Sequence, residues 1–175
     1  MAKLSDELKA RLKKERRISL DDYCDKHLHD PVLKEGMARL LSMFRELKMK
    51  PVWYYSGKYK CHYKKEVVVY LTVHDDDCYI TVATVSAADN THRYDVSAFV
   101  RMLSDDLKAE FASKFKSCVG CSTYCAPGGD VEIDGVVHKG ICKKTLVYSV
   151  SNPTEEQFKM IEKFIIARRK YIENA

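Results

Sequence analysis

The chain has 175 residues, 46% of them hydrophobic and 31% charged, with a formal net charge of +5. That is apolar material enough for one ordinary domain with a real core, which excludes a disordered chain and removes any need for cross-links merely to offset small size. The modest positive excess permits an anionic partner but falls short of the strongly basic footprint of many nucleic-acid-binding domains.

Leu4, Leu8 and Leu12 recur every fourth residue in a strongly charged stretch that runs to Arg16 and Arg17, which predicts a peripheral helix with a narrow apolar stripe. Its basic end can meet phosphate or an acidic partner, although such charge runs are more often the solvated side of a helix. Ser19, ahead of Asp21 and Asp22, caps a short second helix, and Asp30-Pro31 starts a third with Met37, Leu40, Leu41, Phe44 and Leu47 on one face. Residues 1–29 thus read as a charged N-terminal helical arm, and residues 30–175 as a single α+β domain.

From Pro51 the hydrophobic period becomes strand-like, over Val52 to Tyr55, Lys58 to Tyr63, Glu66 to Val73 and Cys78 to Ser86. Gly57, Lys64-Lys65 and His74 to Asp77 mark connections too short for a parallel crossover, so an antiparallel meander is expected. Asp95 or Ser97 then starts a helix through Phe99, Val100 and Leu103, and Ser104 another through Leu107, Phe111 and Phe115. Thr145 to Val150 alternates as a last strand, and Asn152-Pro153-Thr154 opens a long terminal helix with Phe158, Ile161, Ile165 and Ile172 inward. The fold class is α+β: N-terminal helices, an antiparallel β-meander, helices on one face, a zinc-ribbon-like four-cysteine hairpin insert and a C-terminal helix. No apolar run approaches the ~18 residues of a membrane span, the best being Val67 to Leu71. The start, Met1 to Lys9, carries charge where a signal peptide needs an apolar core, so a cytoplasmic location without a membrane partner is expected.

The densest chemical signal is Cys118-Val-Gly-Cys121-Ser-Thr-Tyr-Cys125, followed at a distance by Cys142. A Cys-x-x-Cys turn aims both thiols at a common centre, and Gly120 before the second ligand supplies a left-handed backbone at no steric cost. Asp134-Gly135 between short apolar runs is a strong hairpin signal, and a hairpin would carry Cys142 back to the loop. Cys118, Cys121, Cys125 and Cys142 are therefore candidate ligands of one metal ion, zinc in a closed tetrahedral site, with an iron–sulfur cluster as the alternative. A full protein shell leaves no open position, so the expected role is structural. His138 is a substitute ligand, though it reads more simply as a surface residue of the hairpin. Disulfides could use the same cysteines, but a reducing compartment and an odd total of seven cysteines favour thiols.

The order of Lys50-Pro51-Val52-Trp53, a meander, a helix, Cys-x-Gly-Cys, an apolar hairpin, a later Cys and an Asn-Pro-capped helix resembles a group of uncharacterised bacterial proteins. The likeness extends in layout over residues 30–172 and is specific only in the cysteine segment. It implies a bacterial cytosolic origin and a four-cysteine site at Cys118, Cys121, Cys125 and Cys142, and it carries no assigned activity.

Three functional readings follow. The first is a zinc-supported module that binds a protein or small-molecule partner, with Trp53 and Tyr55 on one strand face as aromatic lining. The second, less favoured, is single-stranded nucleic-acid binding through the basic aromatic strand 53–65, where Lys58, Lys60, His62 and Lys64 share a face. Lysines on an edge strand also block edge-to-edge aggregation, which requires no ligand. The third is an enzyme, including an iron–sulfur redox protein, and here the sequence offers no catalytic residues. Cys61 and His62 are adjacent on a strand and point to opposite faces. Cys24 and His27 lie one helical turn apart but leave His29 aside, and the acids of His74 to Asp77 are explained by turn chemistry. No phosphate-binding glycine loop or Gly-x-Ser-x-Gly elbow occurs.

Overall fold

In the computed structural model, the described residues are 5–16, 18–84, 96–117, 129–142 and 146–174. In chain order the elements are α1 (Asp6–Glu15), α2 (Leu20–His27), α3 (Pro31–Glu46), β1 (Lys50–Tyr55), β2 (Lys58–Tyr63), β3 (Glu66–His74), β4 (Asp77–Val82), α4 (Val96–Arg101), α5 (Asp105–Ser113), β5 (Gly129–Ile133), β6 (Val136–Ile141), β7 (Tyr148–Ser151) and α6 (Glu155–Asn174). The first four strands form the expected meander, and β7 joins it to give a five-stranded antiparallel sheet in the order β1-β2-β3-β4-β7. β5 and β6 pair separately as a hairpin. The architecture is α+β.

Turn chemistry accounts for the hairpins. Gly57 has φ 62°, and a Cβ there would meet the Val73 carbonyl oxygen at 2.4 Å, so both backbone conformation and close approach call for glycine in the β1–β2 turn. Asp134 (φ 50°) and Gly135 (φ 82°) form the two-residue hairpin connection with both central residues left-handed. At the β3–β4 turn Asp75 and Asp76 also have positive φ, and their side chains fasten the turn to the helices. Asp76 accepts from the His29 and Asp30 backbone N–H groups, and Asp75 lies 2.9 Å from Nδ1 of His27.

The core lies between the sheet and α2, α3 and α6. Tyr23 of α2 meets Tyr59 of β2 edge to face at 5.7 Å, while Phe164 of α6 stacks on Tyr148 of β7 at 4.2 Å. These contacts put both helices on one side of the sheet. Helices α3 and α6 touch at Gly36, where even a methyl group would meet the Phe158 ring at 2.2 Å. Asn152 joins the strands to α6: it accepts from the Cys78 N–H at 2.7 Å and donates to Asp77 at 3.0 Å.

The segment expected as a charged arm over 1–29 divides in two. α1 has no buried residue, whereas α2 contributes Leu20, Tyr23 and Cys24 to the core. The β5–β6 hairpin adds Val131, Ile133 and Ile141 to the same cluster. Among the described residues no helix is long and apolar enough to cross a membrane.

Candidate functional site

Directly opposed residues of paired strands point to the same face, so the register divides the sheet into rows. One set reads Pro51–Cys61–Val69–Val82–Tyr148 and Trp53–Tyr59–Leu71–Ile80–Val150. These rows lie under the helices, and Cys61, Val69, Val82 and Ile80 are fully buried. The alternate set reads Val52–Lys60–Tyr70–Thr81–Ser149 and Tyr55–Lys58–Thr72–Tyr79–Ser151. On this second face Tyr54 is 58% exposed, Tyr79 47%, and Val52 and Tyr55 both 44%. A third row, Lys50–His62–Val67, closes the face on one side, because Val67 is buried.

An irregularity in β1 decides which aromatics reach the open face. Strict alternation would put Trp53 and Tyr55 on one side, as the sequence suggests. A register shift between those residues breaks the alternation, as a bulge does by inserting one residue. Trp53 packs against the core, and Tyr54 and Tyr55 are both exposed. Trp53 is therefore not part of the open face, whereas Tyr55, Lys58, Lys60 and His62 are.

The open face is cationic at its β1–β2 end. Nζ of Lys60 sits 3.7 Å from the centroid of Tyr54 and 5.7 Å from that of Tyr70, within range of the attraction between an ammonium and an aromatic face. Lys50 and Lys58 are exposed beside it. The three rows hold no carboxylate; Asp77 lies one step beyond Thr72–Tyr79, opposite His74 at the β3–β4 turn, and is held by Asn152. Toward β7 the face changes to hydroxyls, with Oγ1 of Thr81 and Oγ of Ser149 in contact at 2.9 Å. Successive open rows are two residues apart along each strand, or ~6.8 Å, and neighbouring strands lie ~4.8 Å apart. The result is a shallow lattice of rings, ammonium groups and hydroxyls rather than a pocket.

The other candidate groups have structural employment. Burial pushes the thiols of Cys24, Cys61 and Cys78 up to about 12, so they are neutral and inert as nucleophiles near neutral pH. Cys61 is buried on the covered face and His62 lies on the open one, as alternation requires, so they form no nucleophile–base pair. Near Cys24, the ring of His27 stacks on Tyr23 at 4.3 Å and its Nδ1 contacts Asp75. That hydrogen bond holds the Asp75 carboxyl below its ordinary range, and the two backbone donors do the same for Asp76. The acids near the start of α3 and α6 are likewise engaged, Asp30 capping Leu33 and Glu155 pairing with Arg39.

Cys118, Cys121 and Cys125 lie outside the described residues. Cys142 is half-buried just after β6, and its N–H donates to the Lys116 carbonyl at 2.8 Å. Ser117 also bridges Ile141 in antiparallel fashion. The chain entering the cysteine-rich stretch thus runs beside the chain that carries Cys142. Among the described residues no group of three or more His, Cys, Asp or Glu side chains is arranged to hold a metal ion. His138 meets the Phe115 ring edge to face at 5.5 Å, a packing role for the hairpin.

Tyr54, Tyr70, Tyr79 and Lys50 belong to the open face although sequence reasoning passes over them. Counting outward from Leu71, Val73 and Ile80 would have found Tyr70 and Tyr79. Tyr54 depends on the β1 irregularity, which no residue type announces. In comparisons with known proteins, no family model matches the chain, and no curated protein or solved structure matches it either. Function therefore has to be read from the side chains themselves.

Proposed function

We propose that this protein binds single-stranded nucleic acid across the open face of its five-stranded sheet. The observation that carries the reading is Lys60 between Tyr54 and Tyr70, in a row, Val52–Lys60–Tyr70–Thr81–Ser149, that holds no carboxylate. Exposed tyrosines offer stacking surfaces to bases of any identity, and ammonium groups between them meet the phosphates, the combination by which sequence-tolerant single-strand binders work. The hydroxyls of Thr72, Thr81, Ser149 and Ser151 suit contacts to sugar and phosphate, which fix position rather than sequence. A small-molecule reading fits less well, since the cavities at the starts of α3 and α6 and between α2 and α3 are lined by none of the residues of these rows.

Fluorescence anisotropy with labelled oligothymidylate and oligouridylate over a salt series tests this. Affinity should fall as salt rises, by ~0.7 in the log–log slope per phosphate contacted. Lys58→Gln/Lys60→Gln should therefore flatten the slope by ~1.4. Tyr79→Ala should weaken binding roughly 5- to 150-fold, from ~1–3 kcal/mol per stacked base. Salt-independent binding, or none, removes the proposal.

We further propose that Cys118, Cys121, Cys125 and Cys142 hold one zinc ion that secures the β5–β6 hairpin to the end of α5. The pairing of Ser117 with Ile141 and of Lys116 with Cys142 supports this, since it brings the two flanks of the cysteine stretch together. Four thiolates complete a tetrahedral shell, so the ion would be structural. Elemental analysis and a visible spectrum of anaerobically purified protein should give about one zinc per chain without colour, and Cys142→Ser should lower both zinc content and melting temperature. Full zinc and an unchanged melting temperature in that variant would remove the four-cysteine site, and iron with sulfide would replace zinc by a cluster.

A further inference from the structure

Helix α1 is not held to the rest of the chain by apolar packing, since none of its residues is buried. Its own ends nevertheless favour the helical state. Ser5 caps the first turn by accepting from the Leu8 N–H at 3.2 Å, acids occupy that turn, and Lys13 and Lys14 occupy the last. Leu8 and Leu12 are only half-buried and lie outside the core cluster, so the place of α1 in the molecule rests chiefly on polar tethers. Oγ of Ser56 donates to Glu15 at 3.4 Å, and the Tyr59 hydroxyl donates to the Ile18 carbonyl at 3.5 Å. Both tethers act at the C-terminal end of α1, and Ser56 lies in the β1–β2 turn, between Tyr55 and Lys58 of the open face.

The cations at that end are unevenly used. Lys9 pairs with Asp6 and Arg11 reaches Glu15, whereas Lys13, Lys14 and Arg16 are exposed and enter no ion pair among the described residues. Three unpaired cations next to one another repel, and only a solvated face or an anionic partner relieves them. Glu15, between Lys14 and Arg16, reaches Ser56 of the β1–β2 turn, two residues before Lys58.

We infer that α1 is a second, phosphate-binding arm of the same site, its Lys13, Lys14 and Arg16 taking the backbone of a strand that leaves the sheet past the β1–β2 turn. The inference rests on the nucleic-acid reading of the open face. The partner at the arm is the phosphate backbone, because α1 offers cations and no exposed ring for a base. Ten residues of helix span ~15 Å, against ~19 Å for the four strand spacings of the sheet, so the arm adds substantially to the track. A strand too short to leave the sheet should not feel it.

The test compares labelled oligothymidylates of ~4 and ~12 nucleotides, bracketing short and long single-strand sites. Wild type is set against Lys13→Gln/Lys14→Gln/Arg16→Gln, with glutamine chosen because it preserves helix propensity. The expected result is unchanged binding of the short strand by the variant, a roughly tenfold loss for the long one, and a salt slope for the long strand flatter by ~2. If wild type binds both lengths and the variant matches it in affinity and slope, the arm is only a solvated helix and the sheet reading stands. If wild type binds neither length, the sheet reading falls and the arm falls with it.

Discussion

The two faces of the central sheet are built from the same strands by alternate residues, and they differ in nearly every physical respect. The covered face is made of Cys61, Val69, Leu71, Ile80, Val82 and Tyr148, all buried against helices. The open face is made of Tyr54, Lys58, Lys60, Thr72, Tyr79 and Thr81, which contribute little burial. Tyr59 in β2 and Tyr79 in β4 are the same residue type in one meander, yet one is 3% exposed and the other 47%. Burial is the main term that offsets chain entropy, so the fold rests on one face and leaves the other available for recognition.

The largest break in this comparison comes from the covered side. Phe158 is fully buried and fills the crossing of α3 and α6, so Phe158→Ala should destabilise by ~3–5 kcal/mol in denaturant titration. A loss below ~1 kcal/mol would mean that the helix layer does not carry the fold. Gly36→Ala should be next. In an exposed helix this change stabilises by roughly 0.5–1 kcal/mol, but here the added carbon meets the Phe158 ring, and overpacking should reverse the sign to ~1–3 kcal/mol of destabilisation. In a Phe158→Leu background much of that penalty should vanish, because the two positions share one contact.

A smaller effect concerns the clasp between the β3–β4 turn and the α2–α3 connection. Asp75 and Asp76 are held below the ordinary carboxylate value by His27 and by the His29 and Asp30 N–H groups. A carboxyl depressed in the folded state stabilises above its unfolded pKa, and that contribution is lost as pH falls through the folded value. Melting temperature should therefore drop on acidification below pH ~4, and Asp75→Asn/Asp76→Asn should flatten that acid limb while leaving its shape near neutrality unchanged. An acid limb of equal steepness in the variant would show that other groups govern it.

Much of the covered face is legible in the sequence because burial imposes a period. Met37, Leu40, Leu41 and Phe44 recur at helical spacing, Val69, Leu71 and Val73 at strand spacing, and Asp134-Gly135 announces its turn. The open face is harder to read, since nothing forces a pattern on residues that meet solvent. Tyr55, Lys58, Lys60 and His62 emerge from alternation, but the shift after Trp53 changes the count and exchanges Trp53 for Tyr54. The core of α2 is also obscure in sequence, because Asp21, Asp22, Asp25 and Lys26 disguise a helix that buries Leu20, Tyr23 and Cys24. The four-cysteine stretch is the reverse case, with a strong chemical signal of which only Cys142 lies among the described residues.

The smallest expected effect on stability is the sharpest test of the division between faces. Tyr79 stands in the row Tyr55–Lys58–Thr72–Tyr79–Ser151, half exposed and outside the core cluster. Tyr79→Thr replaces one good strand former by another, here β-branched, so it should shift stability by no more than ~0.5 kcal/mol, as surface substitutions do. Oligonucleotide binding should nevertheless weaken, because threonine offers no ring. A stability loss as large as a core truncation would mean that this face is covered and cannot be an interface. Unchanged stability with unchanged binding would leave the face open but take Tyr79 out of the site, confining recognition to the cationic half around Tyr54, Lys60 and Tyr70. Intact stability with weakened binding would put Tyr79 itself in an interface on the face that does not carry the fold.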